Sequence, residues 1–120
     1  MTFEIPGVEA ERGLALCDGD ETTYLSFLRV YVSNMPPQLE KLRKLSEETL
    51  KEYTIAAHGV KGISEYIGAE EARITAKQLE DMGKNGDMAG LLAKNDSFIN
   101  YAETLVANIK NWLAVNNLSE

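Results

Sequence analysis

Apolar residues recur along the chain at intervals of three and four, the repeat of one face of an α-helix. The clearest run is Leu25, Leu28, Val32, Met35, Leu39 and Leu42, with spacings 3, 4, 3, 4, 3. It passes through Pro36 and Pro37 without losing phase. Proline lacks a backbone donor and crowds the preceding turn, so the unbroken phase predicts one bent helix or two nearly collinear ones. A strand over residues 27–32 is the alternative, disfavoured because it would set Arg29 among the apolar side chains of its own face.

Residues 8–16, after Ile5-Pro6-Gly7, predict a short helix, and Asp18-Gly19-Asp20 a turn that caps the next element. Thr49 and Glu52 match a capping box, so a helix should begin near Leu50. It would bury Tyr53, Ala56 or Ala57, Val60, Ile63 and Ile67 and stop at Gly68. A third long helix follows from about residue 69 to 82, with Ala72, Ala76, Leu79 and Met82 inward, ended by Gly83-Lys84-Asn85-Gly86. From Asp87 as cap, Met88, Leu91, Leu92, Phe98, Ile99, Ala102, Leu105, Ile109 and Trp112 predict a last helix to about residue 115. It is either continuous or broken at Asn95-Asp96-Ser97. The expected fold is all-α: an up-and-down antiparallel four-helix bundle with a short additional N-terminal helix, one domain over residues 1–120.

Composition narrows the function. The 120 residues, 44% of them apolar, suffice for one core and not two. No stretch of 18 apolar residues exists and the first residues lack a signal-peptide pattern, so a cytoplasmic location with no membrane association is expected. Twelve basic against 19 acidic residues, a net charge of -7, disfavour nucleic acid as a partner. One cysteine, Cys17, and one histidine, His58, do not make a zinc site. Ile55 stands where a carboxylate-bridged metal bundle would need glutamate, three residues before the histidine. Gly83-Lys84-Asn85-Gly86-Asp87 is too short for a phosphate loop and lacks the following Ser or Thr, which argues against a self-contained kinase.

The histidine is the most informative residue. At ~100° per residue, Val60 and Ile63 fall ~160° and ~140° from His58, so the imidazole should point away from the core and into water. Lys51, Thr54, Lys61, Gly62 and Glu65 share its side, with Ile55 and Gly59 flanking it. A helical glycine costs roughly 0.5–1 kcal/mol relative to alanine. Gly62 on the exposed face has no internal packing reason to be there. It suits close approach of a second macromolecule over the ring.

The segment His58-Gly59-Val60-Lys61-Gly62-Ile63-Ser64-Glu65-Tyr66-Ile67-Gly68 resembles the signature of histidine-containing phosphotransfer domains. That signature runs His, any residue, an aliphatic, Lys, Gly, any residue, Ser or Ala, then Gly four further on. The resemblance covers nearly the whole chain: a proline-bearing aliphatic helix precedes the motif, and Ala72, Ala76, Leu79, Glu80 and Gly86-Asp87 fit the family's following helix and turn. Val60 replaces the commoner Leu, Ile63 is larger than usual, and Ser46-Glu47-Glu48-Thr49 fills the inter-helix turn.

The resemblance implies a phosphorelay intermediate. His58 would accept a phosphoryl group from a receiver-domain phospho-aspartate and pass it to another receiver. Neutral imidazole, with an ordinary pKa near 6.5, is nucleophilic around pH 7, so nothing in this chain need activate it. In-line placement and charge neutralisation would come from the receiver's acidic pocket and its Mg²⁺, this chain binding no cofactor or metal itself. Lys61 would stabilise phosphoryl charge, or else form a plain helical pair with Glu65. Ser64 is expected to pack or bond back within its helix.

Gly62 gives steric clearance, and Thr54, Ile55, Gly59 and Glu65 are the candidate docking residues. Lys51 and Lys61 would reverse the chain's negative sign locally toward the receiver. The expected partners are receiver domains and a (hybrid) sensor histidine kinase. The chain is expected to be a monomer, standing alone as its Met1 and polar tail suggest, and a phosphocarrier rather than an enzyme. The alternative is an adaptor of the same fold that binds a kinase or receiver and carries no phosphate; such a protein has no need of His58 and Lys61 beside an exposed Gly62.

Overall fold

The stripe that crosses Pro36 and Pro37 is one helix. The computed structural model describes residues 1–119, and among these are five helices and no strand. They are α1 (Ala10–Leu16), α2 (Glu21–Arg43), α3 (Leu50–Ile67), α4 (Glu70–Asn85) and α5 (Met88–Val115). None is long and apolar enough to cross a membrane. Both prolines lie on the exposed side of α2, so their rings project to solvent and the apolar stripe continues beneath them. Asp20 starts α2 by accepting from the amides of Thr22 and Thr23. The strand alternative for residues 27–32 does not occur.

α2 packs on α3 and α5, α4 packs on the same two helices, and α1 lies against α3 and α2. Buried tyrosines tie these contacts together. The Tyr24 hydroxyl donates to the carbonyl of Ile67 at 2.7 Å, Tyr31 shares a hydrogen bond with Ser64 at 2.9 Å, and Tyr53 donates to Asn95 Oδ1 at 2.8 Å. Burial pushes all three phenols well above the usual tyrosine range. Asn95 is itself buried and donates through Nδ2 to the carbonyl of Leu42 at 2.8 Å. That pair of bonds explains why α5 runs unbroken through Asn95-Asp96-Ser97: the asparagine is a buried connector, not a helix stop.

Two glycines mark close approaches. Gly68 ends α3 in the left-handed conformation with φ 78°, and a Cβ there would lie 2.1 Å from the carbonyl oxygen of Glu9. The Glu9 amide donates to the Gly68 carbonyl at 2.8 Å, so α1 closes over the end of α3. Gly83 lies inside α4, where a Cβ would meet Thr54 Oγ1 at 2.2 Å. It is buried by contact with α3, which is why α4 continues past the expected breaker to Asn85.

Other expectations are corrected at the level of side chains. Thr49 precedes α3 as expected, but the capping box does not form. Its hydroxyl turns back to donate to the Lys44 carbonyl at 2.6 Å and to interact with Ser46, because the turn after α2 offers nearer partners. Leu92 is exposed, and Val32, Ile63, Met82, Met88 and Trp112 are only half-buried. Tyr24 and Tyr31 complete the inner face of α2. Tyrosine scores as polar or apolar by its tip, and here the tip finds a partner inside.

Asn95→Leu removes the acceptor of Tyr53 and the donor to Leu42. We expect a loss of about 1–3 kcal/mol in urea unfolding. An unchanged midpoint would show that the connector contributes nothing.

Candidate functional site

The site is built where α3 and α4 run side by side. His58, near the middle of α3, projects outward with 63% of its side chain exposed. Two turns of α4 lie alongside, and their inner face carries Ala76, Leu79, Glu80 and Gly83. Three of these pack as small or apolar residues. The fourth is a carboxylate whose side chain is only 2% exposed. An ionised carboxylate in that position requires compensating charge and hydrogen bonds.

Three side chains supply them. His58 Nδ1 lies 2.8 Å from Glu80 Oε2, Lys84 Nζ lies 3.1 Å from the same oxygen, and Lys61 Nζ lies 3.1 Å from Oε1. Burial, the strongest single influence, pushes the Glu80 carboxyl upward; Lys61, His58 and Lys84 together outweigh it and hold the pKa at about 2. Glu80 is therefore an anion at neutral pH. An anionic oxygen accepts only, so the ring nitrogen facing it must be the one that carries the proton. In the neutral form of the ring, Nε2 is then the nitrogen with the free lone pair.

The structure places the residues singled out from the sequence as follows. His58 is exposed. Lys61 reaches Glu80 on α4 and not Glu65 on its own helix, which corrects the helical-pair alternative; a buried anion attracts it more than an exposed one. Gly62 has nothing within 4 Å of where its Cβ would be, and Gly59 would meet only Gln38 at 3.9 Å. No internal contact demands glycine at position 62. Ile55 is 62% exposed and Glu65 is exposed. Thr54 is half-covered by Gly83, and its hydroxyl donates to the Leu50 carbonyl at 2.8 Å, so its polar group faces inward. With Leu50, Lys51, Ile55, Gly83 and Lys84 it lines a shallow groove beside the histidine. Ser64 packs as expected but bonds across to Tyr31, not back within α3.

No residue of the chain is expected to be needed to activate the imidazole; the structure adds a contact that this expectation does not include, Glu80 on Nδ1. The sequence contained a signal for it: Glu80 is four residues after Ala76 and one after Leu79, a carboxylate on an apolar stripe. Lys84, four further on, carried no separate signal, because a lysine in the last turn of a helix is ordinary.

An exposed imidazole held by a buried carboxylate that two lysines also contact defines a helical domain with one ring nitrogen bound from within and the other open to water. Comparison with known families gives the same class a name: the Hpt domain family matches residues 26–112, and the chain belongs to it. The match contains all of α3 and α4, while α1 and the start of α2 lie before it. Searches of curated proteins and of solved structures found no match. Hpt domains serve histidine phosphotransfer in phosphorelays, as phosphocarriers that work with receiver domains and histidine kinases and not as kinases themselves.

The depressed pKa of Glu80 has a testable sign. A carboxyl lowered in the folded state contributes stability above its ordinary value of 4.5, and that contribution is lost as pH falls toward about 2. Urea midpoints measured from pH 6 to 2 should fall less steeply for Glu80→Gln than for the unmutated protein below about pH 4.5. Parallel curves would mean that Glu80 is not held by its three partners.

Proposed function

We propose that His58 accepts a phosphoryl group on Nε2 from the phospho-aspartate of a receiver domain and passes it to a second receiver. The observation that carries this reading is the Nδ1–Glu80 contact at 2.8 Å under an exposed ring. In the forward step the Nε2 lone pair forms the N–P bond as the P–O bond to the aspartate breaks, and that electron pair leaves with the carboxylate oxygen. Nδ1 keeps its proton, so the product is a phosphoimidazolium whose positive ring faces Glu80. In the return step an aspartate oxygen attacks phosphorus, the N–P electrons go back to Nε2, and the ring is again neutral with Nδ1 protonated. No proton enters or leaves the protein in either direction.

Glu80 thus acts as a positioning residue that fixes the tautomer and stabilises the ring charge developed during transfer. The receiver supplies Mg²⁺ and in-line geometry; this chain supplies the nucleophile. Lys61 keeps the buried carboxylate ionised and adds positive potential at the site.

The family membership and the pairwise helix contacts support an up-and-down antiparallel four-helix bundle formed by α2 to α5, with α1 as an addition, in a single domain. The receiver docks over Gly62 and Gly59, with Ile55 as the apolar anchor and Glu65 at the edge. Thr54 contributes through its methyl-bearing side to the groove next to Ile55. The chain works as a monomeric carrier between a hybrid sensor kinase and its receivers.

Incubation with a phosphorylated receiver should transfer label to this chain as an acid-labile, alkali-stable adduct, and His58→Gln should abolish it. A wild-type protein that binds the receiver without acquiring label would establish the adaptor reading instead. Ile55→Asp should slow transfer about tenfold or more, the scale of a lost interface anchor. Gly62→Ala should stabilise the fold by about 0.5–1 kcal/mol, while Gly62→Phe slows transfer with the fold intact. Equal transfer rates for Gly62→Phe and wild type would remove the clearance argument.

A further inference from the structure

Lys84 has no part in the histidine motif, yet its ammonium sits on Glu80 Oε2, the oxygen that also holds His58 Nδ1. Lys61 occupies the other oxygen, Oε1. The two lysines also differ in freedom. Lys61 is 23% exposed and lies pinned between α3 and α4, whereas Lys84 is 58% exposed at the end of α4. Both ammonium groups lie 3.1 Å from the carboxylate, but the more exposed one, Lys84, is on the oxygen that the ring also uses.

The charges that face the ring are Glu80, Lys61 and Lys84, a sum of +1 while His58 is neutral. A phosphoryl group adds about 1.5 to 2 negative charges at this spot. Lys84 is then drawn two ways. In the unphosphorylated state it shares Oε2 with Nδ1. In the phosphorylated state the ring proton, now on a cationic imidazolium, satisfies Oε2 more strongly, and the phosphoryl oxygens offer Lys84 a second anion. Lys61 remains to keep Oε1 compensated.

We infer that Lys84 is the mobile counter-cation of the phosphorylated site, transferring its ion pair from Glu80 to the phosphoryl oxygens and so setting how much phosphoryl group His58 holds at equilibrium. This rests on the phosphoacceptor assignment of His58 and adds to it a residue that acts on the charged product. Lys84 makes a differential contact between two states, which is the requirement for shifting an equilibrium.

The equilibrium partition of label between receiver and carrier is the discriminating quantity. Unlike a rate, it does not depend on how well the receiver docks. With a purified receiver and its phosphoryl donor removed, Lys84→Gln should shift the partition toward the receiver by roughly two- to fivefold, the scale of one partly exposed ion pair. Lys84→Arg should restore it, and 0.5 M salt should shrink the difference. An ordinary helical pair with Glu80 predicts an altered unfolding midpoint and an unaltered partition. If Lys84→Gln acquires label and partitions like wild type, the inference is overturned and the phosphoacceptor reading stands. If wild type acquires no label at all, both are overturned.

Discussion

The structure around the histidine depends on one buried carboxylate. Glu80 lies on the inner face of α4, where an uncompensated charge would cost several kcal/mol of desolvation after relaxation. It is tolerated because His58 and Lys61 on α3 and Lys84 on α4 converge on its two oxygens. The same arrangement gives the imidazole a defined orientation and tautomer without burying it. Stability and reactivity are therefore satisfied by one set of contacts. The anion needs cations and a donor, and the histidine needs an acceptor on one nitrogen and open water on the other.

That convergence requires α3 and α4 to lie close. Gly83 removes the side chain that would collide with Thr54, and Ala56, Ala57, Ala72 and Ala76 keep the buried faces of the two helices slim. A larger residue at any of these places would move Glu80 away from the ring and exchange a hydrogen bond for a gap. The far end of α3 is held as firmly. Tyr24 bonds its last carbonyl, the Glu9 amide bonds Gly68, and Tyr31 bonds Ser64, so the helix that bears His58 is fixed along its length by α1 and α2. Phe3 extends this support, stacking on Trp112 and meeting Tyr24 edge-on. The exposed ring thus stands on a rigid support, as a group that must meet a partner's pocket in line requires.

Much of this was legible along the chain. The 3-and-4 repeat gave four long helices, Gly68 marked the end of α3, and the wheel set His58 opposite Val60. All of these depend on local backbone geometry, which a sequence expresses directly. What was misread depended on which partner a side chain meets. Thr49 preferred the neighbouring turn to its own helix start, Asn95 and Tyr31 proved to be core residues because each found a partner, and Gly83 served packing where it had suggested a break.

The chain alone determined that one histidine would stand exposed on a helix beside a bare glycine, because helical periodicity assigns faces without reference to anything else. Only the tertiary structure decided what that histidine touches. Glu80 follows His58 by 22 residues on another helix, and its place on the apolar stripe of α4 marks it as unusual without saying which side chains it meets. Its burial, its ionisation and its hold on Nδ1 arise together from the packing of α4 on α3, since a charge acquires such partners only when the elements that carry them are brought out of water side by side.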